Sequence, residues 1–277
     1  MLKLTINMLH ARCDESYPGG DTDAASIYVV AGLIGTSNQW REFDTMWRED
    51  MKALRVEADG LHTSKCAVGA KPYKHLSSRQ RYEIQYRMIL DIAAARLYGC
   101  AAVSDQKYYD PLRELFNTFL GAKNRRFNEP HVITTRQCIN LMMVSTEDAA
   151  DEPLQIVVDQ NSAFGGRVEE WYKMDLVNPG LDEPDMMGSK YRSRLGGLSQ
   201  GSRMDIIGLQ AADFVAYVSL RHALHERGLG KAPWQWQDLT KVIRHRYFTF
   251  GEDYWSEMES TAREALAKRQ VSGDGGG

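Results

Sequence analysis

Between Ile206 and Leu220 the chain reads IIGLQAADFVAYVSL, and this run narrows the fold more than any other stretch of the sequence. Wound as a helix, it carries polar groups only at Gln210, Asp213 and Ser219, apart from the Tyr217 hydroxyl. A helix that is apolar nearly all round is buried on every side, so other layers of the protein must cover it. A chain of 277 residues can supply those layers from one core. With 43% hydrophobic and 26% charged residues, it has the composition of a folded globular domain rather than of a disordered chain.

The covering layers can be read in the rest of the chain. Leu2, Leu4, Ile6 and Met8 alternate as a first strand, and a change of parity at Leu9 predicts a bulge before Ala11 and Cys13. ASIYVVAGLIG at 25–35 reads as a buried second strand, GCAAVSDQKYY from Gly99 as a third, and LQIVVDQ at 154–160 as a central one. Helical periodicity predicts helices over 38–57, 78–98, 109–121, 130–149 and 165–176, with loop over 178–205. Further helices follow near 206–227, 234–247 and 252–269. Strands first, then strands alternating with helices, predict a mixed α/β sheet flanked by helices, with helical insertions and a C-terminal helical extension. Neither repeats nor a Pro-rich linker divide the chain, so residues 1–270 are expected to form a single domain and 271–277 a disordered tail.

Composition sets further bounds. The longest apolar runs break within about ten residues, well short of a bilayer, so no membrane span is expected. MLKLTINMLH has no long apolar segment with a small-residue cleavage site, so no secretory signal is expected either. Cys13, Cys66, Cys100 and Cys138 are scattered without a Cys-x-x-Cys pair, as suits reduced thiols and a cytoplasmic location. A net charge of −3 argues against a protein coated in positive charge while leaving room for a local basic groove.

Three carboxylates stand where carboxylates are costly. Asp213 shares a helix face with Leu209, Ala212, Ala216 and Leu220. A carboxylate in that position must be neutralised, paired with an Arg or a loop, or bound to a metal. Asp159 ends the strand LQIVVD, at the strand end where open α/β sheets hold ligands. Asp14, with Glu15 beside it, ends the first strand. Like charges gathered at one place repel unless cations hold them together. Oxygen-only ligands favour Mg²⁺ or Mn²⁺, and paired ions of this kind serve phosphodiester hydrolysis.

DES at 14–16, the following IYVVAGLI, IVVD at 156–159 and GLQAADFVAY at 208–217 together resemble the bacterial proteins grouped as domain of unknown function 3800. The resemblance covers most of the chain in the right order. It implies an RNase H-like fold and a metal-dependent nuclease-like site. Asp14, Asp159 and Asp213 would be its metal ligands, and Glu15 a ligand or orienter. The chain departs from the pattern at Tyr17, where the family usually has Gly, and in the less apolar strand MLHARC. ADGLHTSK at 58–65 resembles the family's short polar segment, which makes Glu57 or His62 an auxiliary ligand or proton shuttle.

Basic residues Lys190, Arg192, Arg194 and Arg203 lead into the Asp213 helix and are expected to hold a phosphate backbone, RNA or DNA. KNRR at 123–126 is more ordinary surface charge. Three rivals compete. A catalytically silent module of the same fold would bind nucleic acid or a partner protein. GLSQG at 197–201 matches a G-x-S-x-G nucleophile elbow with Ser199 as nucleophile, although the basic SKYRSRLG before it is not the buried strand that motif requires. His222 and His225 could share a metal but sit at a charged helix end, where solvation is the simpler expectation.

Overall fold

A computed structural model describes residues 8–18, 26–56, 61–120, 129–149, 152–160, 165–177 and 194–273. Six strands form one sheet: β1 (Leu9–Ser16), β2 (Ile27–Thr36), β3 (Tyr98–Asp105), β4 (Leu154–Asp159), β5 (Leu195–Gly201) and β6 (His245–Phe250). Their order is β5-β4-β1-β2-β3-β6. β1 pairs antiparallel with β2 and β2 antiparallel with β3, while β1–β4, β4–β5 and β3–β6 are parallel. β2 therefore runs against the five others.

Alternation along the strands divides the core in two. Ile27, Val29, Ala31 and Leu33 of β2 face one side, with Ala101 and Val103 of β3. Leu9, Ala11 and Cys13 of β1 face the other, with Leu154, Ile156 and Val158 of β4. The first side is covered by α1 (Ser37–Ala53), α2 (Thr63–Val68), α3 (Ser78–Ala94), α8 (Gly208–Glu226) and α9 (Trp234–Val242). The second carries α4 (Gln106–Tyr109), α5 (Arg113–Leu120), α6 (Pro130–Ser145), α7 (Gly165–Val177) and α10 (Glu252–Gly273). The expected α/β class, a mixed sheet flanked by helices, is what forms.

Local chemistry explains several boundaries. Thr36 and Ser77 each cap a helix through a reciprocal box with Gln39 and Gln80, fixing the starts of α1 and α3. α8 lies across β1 and β2, with Leu209, Ala211, Ala212, Phe214 and Ala216 almost wholly buried, as its apolar circumference requires. It begins at Gly208, where a Cβ would lie 2.4 Å from Arg12 and 2.5 Å from Trp40. Only glycine lets the helix start this close to β1.

Several expectations need correction. β5 falls within the stretch expected to be loop. LGGLSQG has no apolar alternation, yet the open edge of β4 supplies the pairing that its sequence does not advertise. β6 falls at the end of an expected helix over 234–247; α9 stops at Val242, and HRYFTF pairs with β3. The irregularity predicted near Leu9 occurs instead between β4 and β5, at Leu154/Ile156. Residues 2–7 lie outside the described residues. α10 runs through Gly273, three residues into the segment expected to be disordered, and 274–277 lie outside the described residues. Among the described residues, no helix is long and apolar enough to cross a membrane.

Candidate functional site

The strand periodicity that builds the core also aims two carboxylates. In β1, Leu9, Ala11 and Cys13 face one core cluster, so Asp14 faces the α8 side. In β4 the same parity turns Leu154, Ile156 and Val158 one way and Asp159 the other. Cys13 is paired with Val158 in the parallel ladder, so Asp14 and Asp159 follow side by side at the carboxyl ends of adjacent strands. α8 crosses that face and brings Asp213 down onto the pair.

The three carboxylates surround one guanidinium. Arg203 lies in the turn between β5 and α8, two residues past Gly201, which is Asp159's partner in the ladder. Its Nε donates to Asp159 Oδ2 at 2.7 Å, and its Nη2 makes a second, short contact with the same oxygen. Nη2 also reaches Asp14 Oδ2 at 3.3 Å, and Nη1 reaches Asp213 Oδ1 at 3.4 Å. All three carboxylates are buried.

Backbone donors complete the arrangement. The N–H of Glu15 donates to Asp14 Oδ1 at 2.8 Å, and the N–H of Thr63, at the start of α2, donates to Asp213 Oδ2 at 2.6 Å. Gln210, one turn before Asp213, donates to the Arg203 carbonyl at 3.2 Å and accepts from Trp47 Nε1 at 2.9 Å. The turn carrying Arg203 is thereby tied to the core.

The electrostatics follow from burial and crowding. Burial pushes the Asp14 carboxyl well above the usual carboxylate range, and the nearby Asp213 and Asp159 push it further, against the pull of Arg203. A single guanidinium thus leaves the cluster short of positive charge. Burial would lower the pKa of Arg203, but its three carboxylate neighbours raise it, so it stays charged. His62 Nδ1 lies 3.8 Å from Asp213 Oδ1. Burial lowers its pKa more than Asp213 raises it, so the ring is neutral at neutral pH.

The expected site residues fare differently. Asp14, Asp159 and Asp213 converge, and His62 joins them. Glu15 projects from the opposite face of β1, so it orients Asp14 by its backbone; together with Asp14 and Asp159 it lines a cleft at the strand ends, beside Thr135 and Val168. Arg203, expected to hold nucleic acid from a surface loop, is turned inward onto the carboxylates. Arg194 is not a surface contact: it is 4% exposed and donates to the Met143 carbonyl and Thr146 Oγ1. Glu57, Lys190, Arg192 and the 123–126 segment lie outside the described residues. Asp213 has both partners a structural aspartate would have, an Arg and a loop N–H, as well as two acidic neighbours.

The rival motifs part company with their chemistry. Ser199 is exposed in the middle of edge strand β5, paired with Val157, not at a turn into a helix. His222 stacks on Trp236 at 4.1 Å and meets Glu226 at 3.3 Å, while His225 Nδ1 lies 3.1 Å from the Gly230 carbonyl. The two histidines serve separate partners.

The donor set suits a hard divalent cation in kind and in charge, being oxygen only and carrying three carboxylates against one guanidinium. Among the described residues, no group of three His, Cys, Asp or Glu side chains is gathered around one common metal position, because the guanidinium lies between the carboxylates. The residues missed by sequence reasoning are the ones that act through the backbone or from a turn: Thr63, Gln210 and, in its actual role, Arg203. A buried Gln one turn before a buried Asp was the available signal for Gln210. The chain matches no protein-family model, no curated protein and no solved structure.

Proposed function

We propose that this protein is a divalent-metal-dependent phosphodiester hydrolase, a nuclease acting on RNA or DNA. The observation that carries this reading is the convergence of Asp14, Asp159 and Asp213 from two parallel strand ends and a buried helix. An RNase H-like architecture goes with it, supported by the strand order in which β2 alone opposes its neighbours. When bound, Mg²⁺ or Mn²⁺ would supply an activated water and charge stabilisation at the leaving oxygen.

The chain's own residues do the rest. Asp14, Asp159 and Asp213 would hold the cation, and the Glu15 and Thr63 N–H groups fix two of those carboxylates in orientation. His62, neutral beside Asp213, is placed to accept or hand on a proton. Arg203, released from the carboxylates by the cation, becomes a donor to the scissile phosphate. The cleft lined by Asp14, Glu15 and Asp159 gives a substrate its approach.

One observation favours a second reading. Arg203 already neutralises part of the cluster, as it would in a catalytically silent nucleic-acid- or partner-binding module of the same fold. Incubation with labelled RNA and DNA in Mg²⁺, Mn²⁺ and EDTA decides between them. Cleavage that requires metal and disappears in Asp159→Asn supports the nuclease. Binding without turnover under every metal condition supports the silent module.

A further inference from the structure

From Leu61 to Tyr82 the chain has no acidic residue, yet it contains Lys65, Lys71, Lys74, Arg79 and Arg81. Elsewhere, surface cations are locked to an acid three or four residues away: Arg87 to Glu83, Lys173 to Glu169, Arg263 to Glu259. Lys65, Lys71, Lys74 and Arg79 are exposed, and among the described residues no Asp or Glu pairs with them within 4.0 Å. A run of unneutralised cations attracts a polyanion.

The lobe that carries them is rigid and is joined to the carboxylates. Leu61, Cys66, Tyr73 and Leu76 are buried in the core. Tyr73 Oη accepts from the His62 N–H at 2.9 Å, and Arg81 staples the turn by donating to the Leu76 carbonyl at 2.7 Å. The first turn of α2 is the one that donates to Asp213. At the other end, Arg79, Tyr82 and Tyr86 follow one another along a face of α3. Tyr82 is 45% exposed, lies 4.4 Å from the Trp234 ring and stacks on Tyr86 at 6.0 Å. A bond from Gln235 to Gln85 at 2.7 Å holds α9 and its Trp234 against α3.

We propose that the 61–82 lobe is a track for single-stranded nucleic acid. Phosphates lie along Lys65, Lys71, Lys74 and Arg79, a base stacks on the Tyr82–Trp234 ledge, and the strand is delivered to the Asp213 end. Cations that follow a backbone, ending at an exposed aromatic face, are the two elements single-strand binding uses. A duplex keeps its bases inside and leaves the aromatic ledge unused. The proposal rests on the nuclease reading for its direction and identifies the substrate class of that site.

The test reads binding in EDTA, separately from any cleavage. The probe is a fluorescein-labelled dT oligonucleotide of about 20 nucleotides, alongside the matching duplex, followed by anisotropy between about 50 and 200 mM KCl. Four phosphate contacts predict a slope of log K against log salt of about −2.8, falling to about −1.4 in Lys71→Ala/Lys74→Ala. Tyr82→Ala should weaken single-strand binding roughly five- to hundred-fold without changing the slope. Arg263→Ala, on α10 across the sheet, should change neither. Absence of binding, preference for the duplex, equal loss with Arg263→Ala, or equally tight binding of polyglutamate would each overturn the track. If binding follows these variants while Mn²⁺ never produces cleavage, the nuclease reading fails and the track stands. If cleavage occurs and ignores Lys71→Ala/Lys74→Ala, the track fails and the nuclease stands.

Discussion

Arg203→Met removes the cation that faces all three carboxylates and keeps most of the side chain's length. The Asp159 contact is the strong one, with Nε at 2.7 Å and a second donor on the same oxygen, and charge-assisted bonds of that quality contribute about 1.5–3 kcal/mol. The contacts to Asp14 at 3.3 Å and Asp213 at 3.4 Å are longer and add about 1 kcal/mol together. Breaking one side of a buried ionic cluster costs about 3–5 kcal/mol. Partial protonation of Asp14, whose pKa is already raised, brings the expected loss toward the lower end, about 3 kcal/mol. In a chain of this size that is a fall in Tm of roughly 6–9 °C in EDTA. The sign with pH is fixed. A carboxyl whose folded pKa lies above its unfolded value destabilises only where it is ionised, so the gap between parent and variant should be wide at alkaline pH and narrow on acidification. Thermal melts in EDTA and in Mn²⁺, over a pH series, provide the assay. Mn²⁺ should raise the variant's Tm more than the parent's, because no guanidinium competes for the carboxylates. A variant that melts with the parent in EDTA refutes the ionic cluster, and one that gains nothing from Mn²⁺ refutes its capacity for a cation.

Other expectations follow from single side chains. Asp213→Asn should abolish metal-dependent cleavage, since an amide is a poorer ligand for a hard ion, yet melt no lower than the parent in EDTA, because like-charge repulsion falls and the amide oxygen can still accept from Thr63. A much lower Tm would make Asp213 architecture. Asp91 is buried in α3, and burial followed by the neighbouring Asp50 pushes its pKa up to about 7. Parental stability should therefore decline as pH rises from about 4 to 7, and Asp91→Asn should be more stable at alkaline pH by roughly 2–4 kcal/mol and equal near pH 4. Denaturation at both ends of that range checks it. Arg194→Ala should cost about 1–3 kcal/mol in urea unfolding, because the Met143 carbonyl loses its donor, while oligonucleotide affinity stays unchanged. Ser199→Ala should leave any hydrolytic rate intact; a loss of several orders of magnitude would restore the serine hydrolase.

Local periodicity made much of the site legible before any fold was known. Alternation in IVVD sets Asp159 opposite Ile156 and Val158, and the apolar circumference around Asp213 marks it as a buried carboxylate needing a partner. Those are properties of one element at a time, fixed by backbone geometry and the cost of burying charge. Which partner Asp213 meets is a property of several. The Thr63 N–H comes from a helix 150 residues away in sequence, and Arg203 from a turn whose direction depends on β5 joining β4. β5 itself, rich in glycine and without apolar alternation, is a strand only because an open edge beside it offers hydrogen bonds. The failure over 234–247 differs in kind, since His245, Tyr247 and Phe248 do carry strand character that the preceding helix obscured. The sequence by itself determined the α/β class, the burial of the 206–220 helix and the faces on which three aspartates stand. The tertiary structure alone decided that they converge on one guanidinium, because strand pairing and helix crossing are set by the packing of the whole core, which no local period encodes.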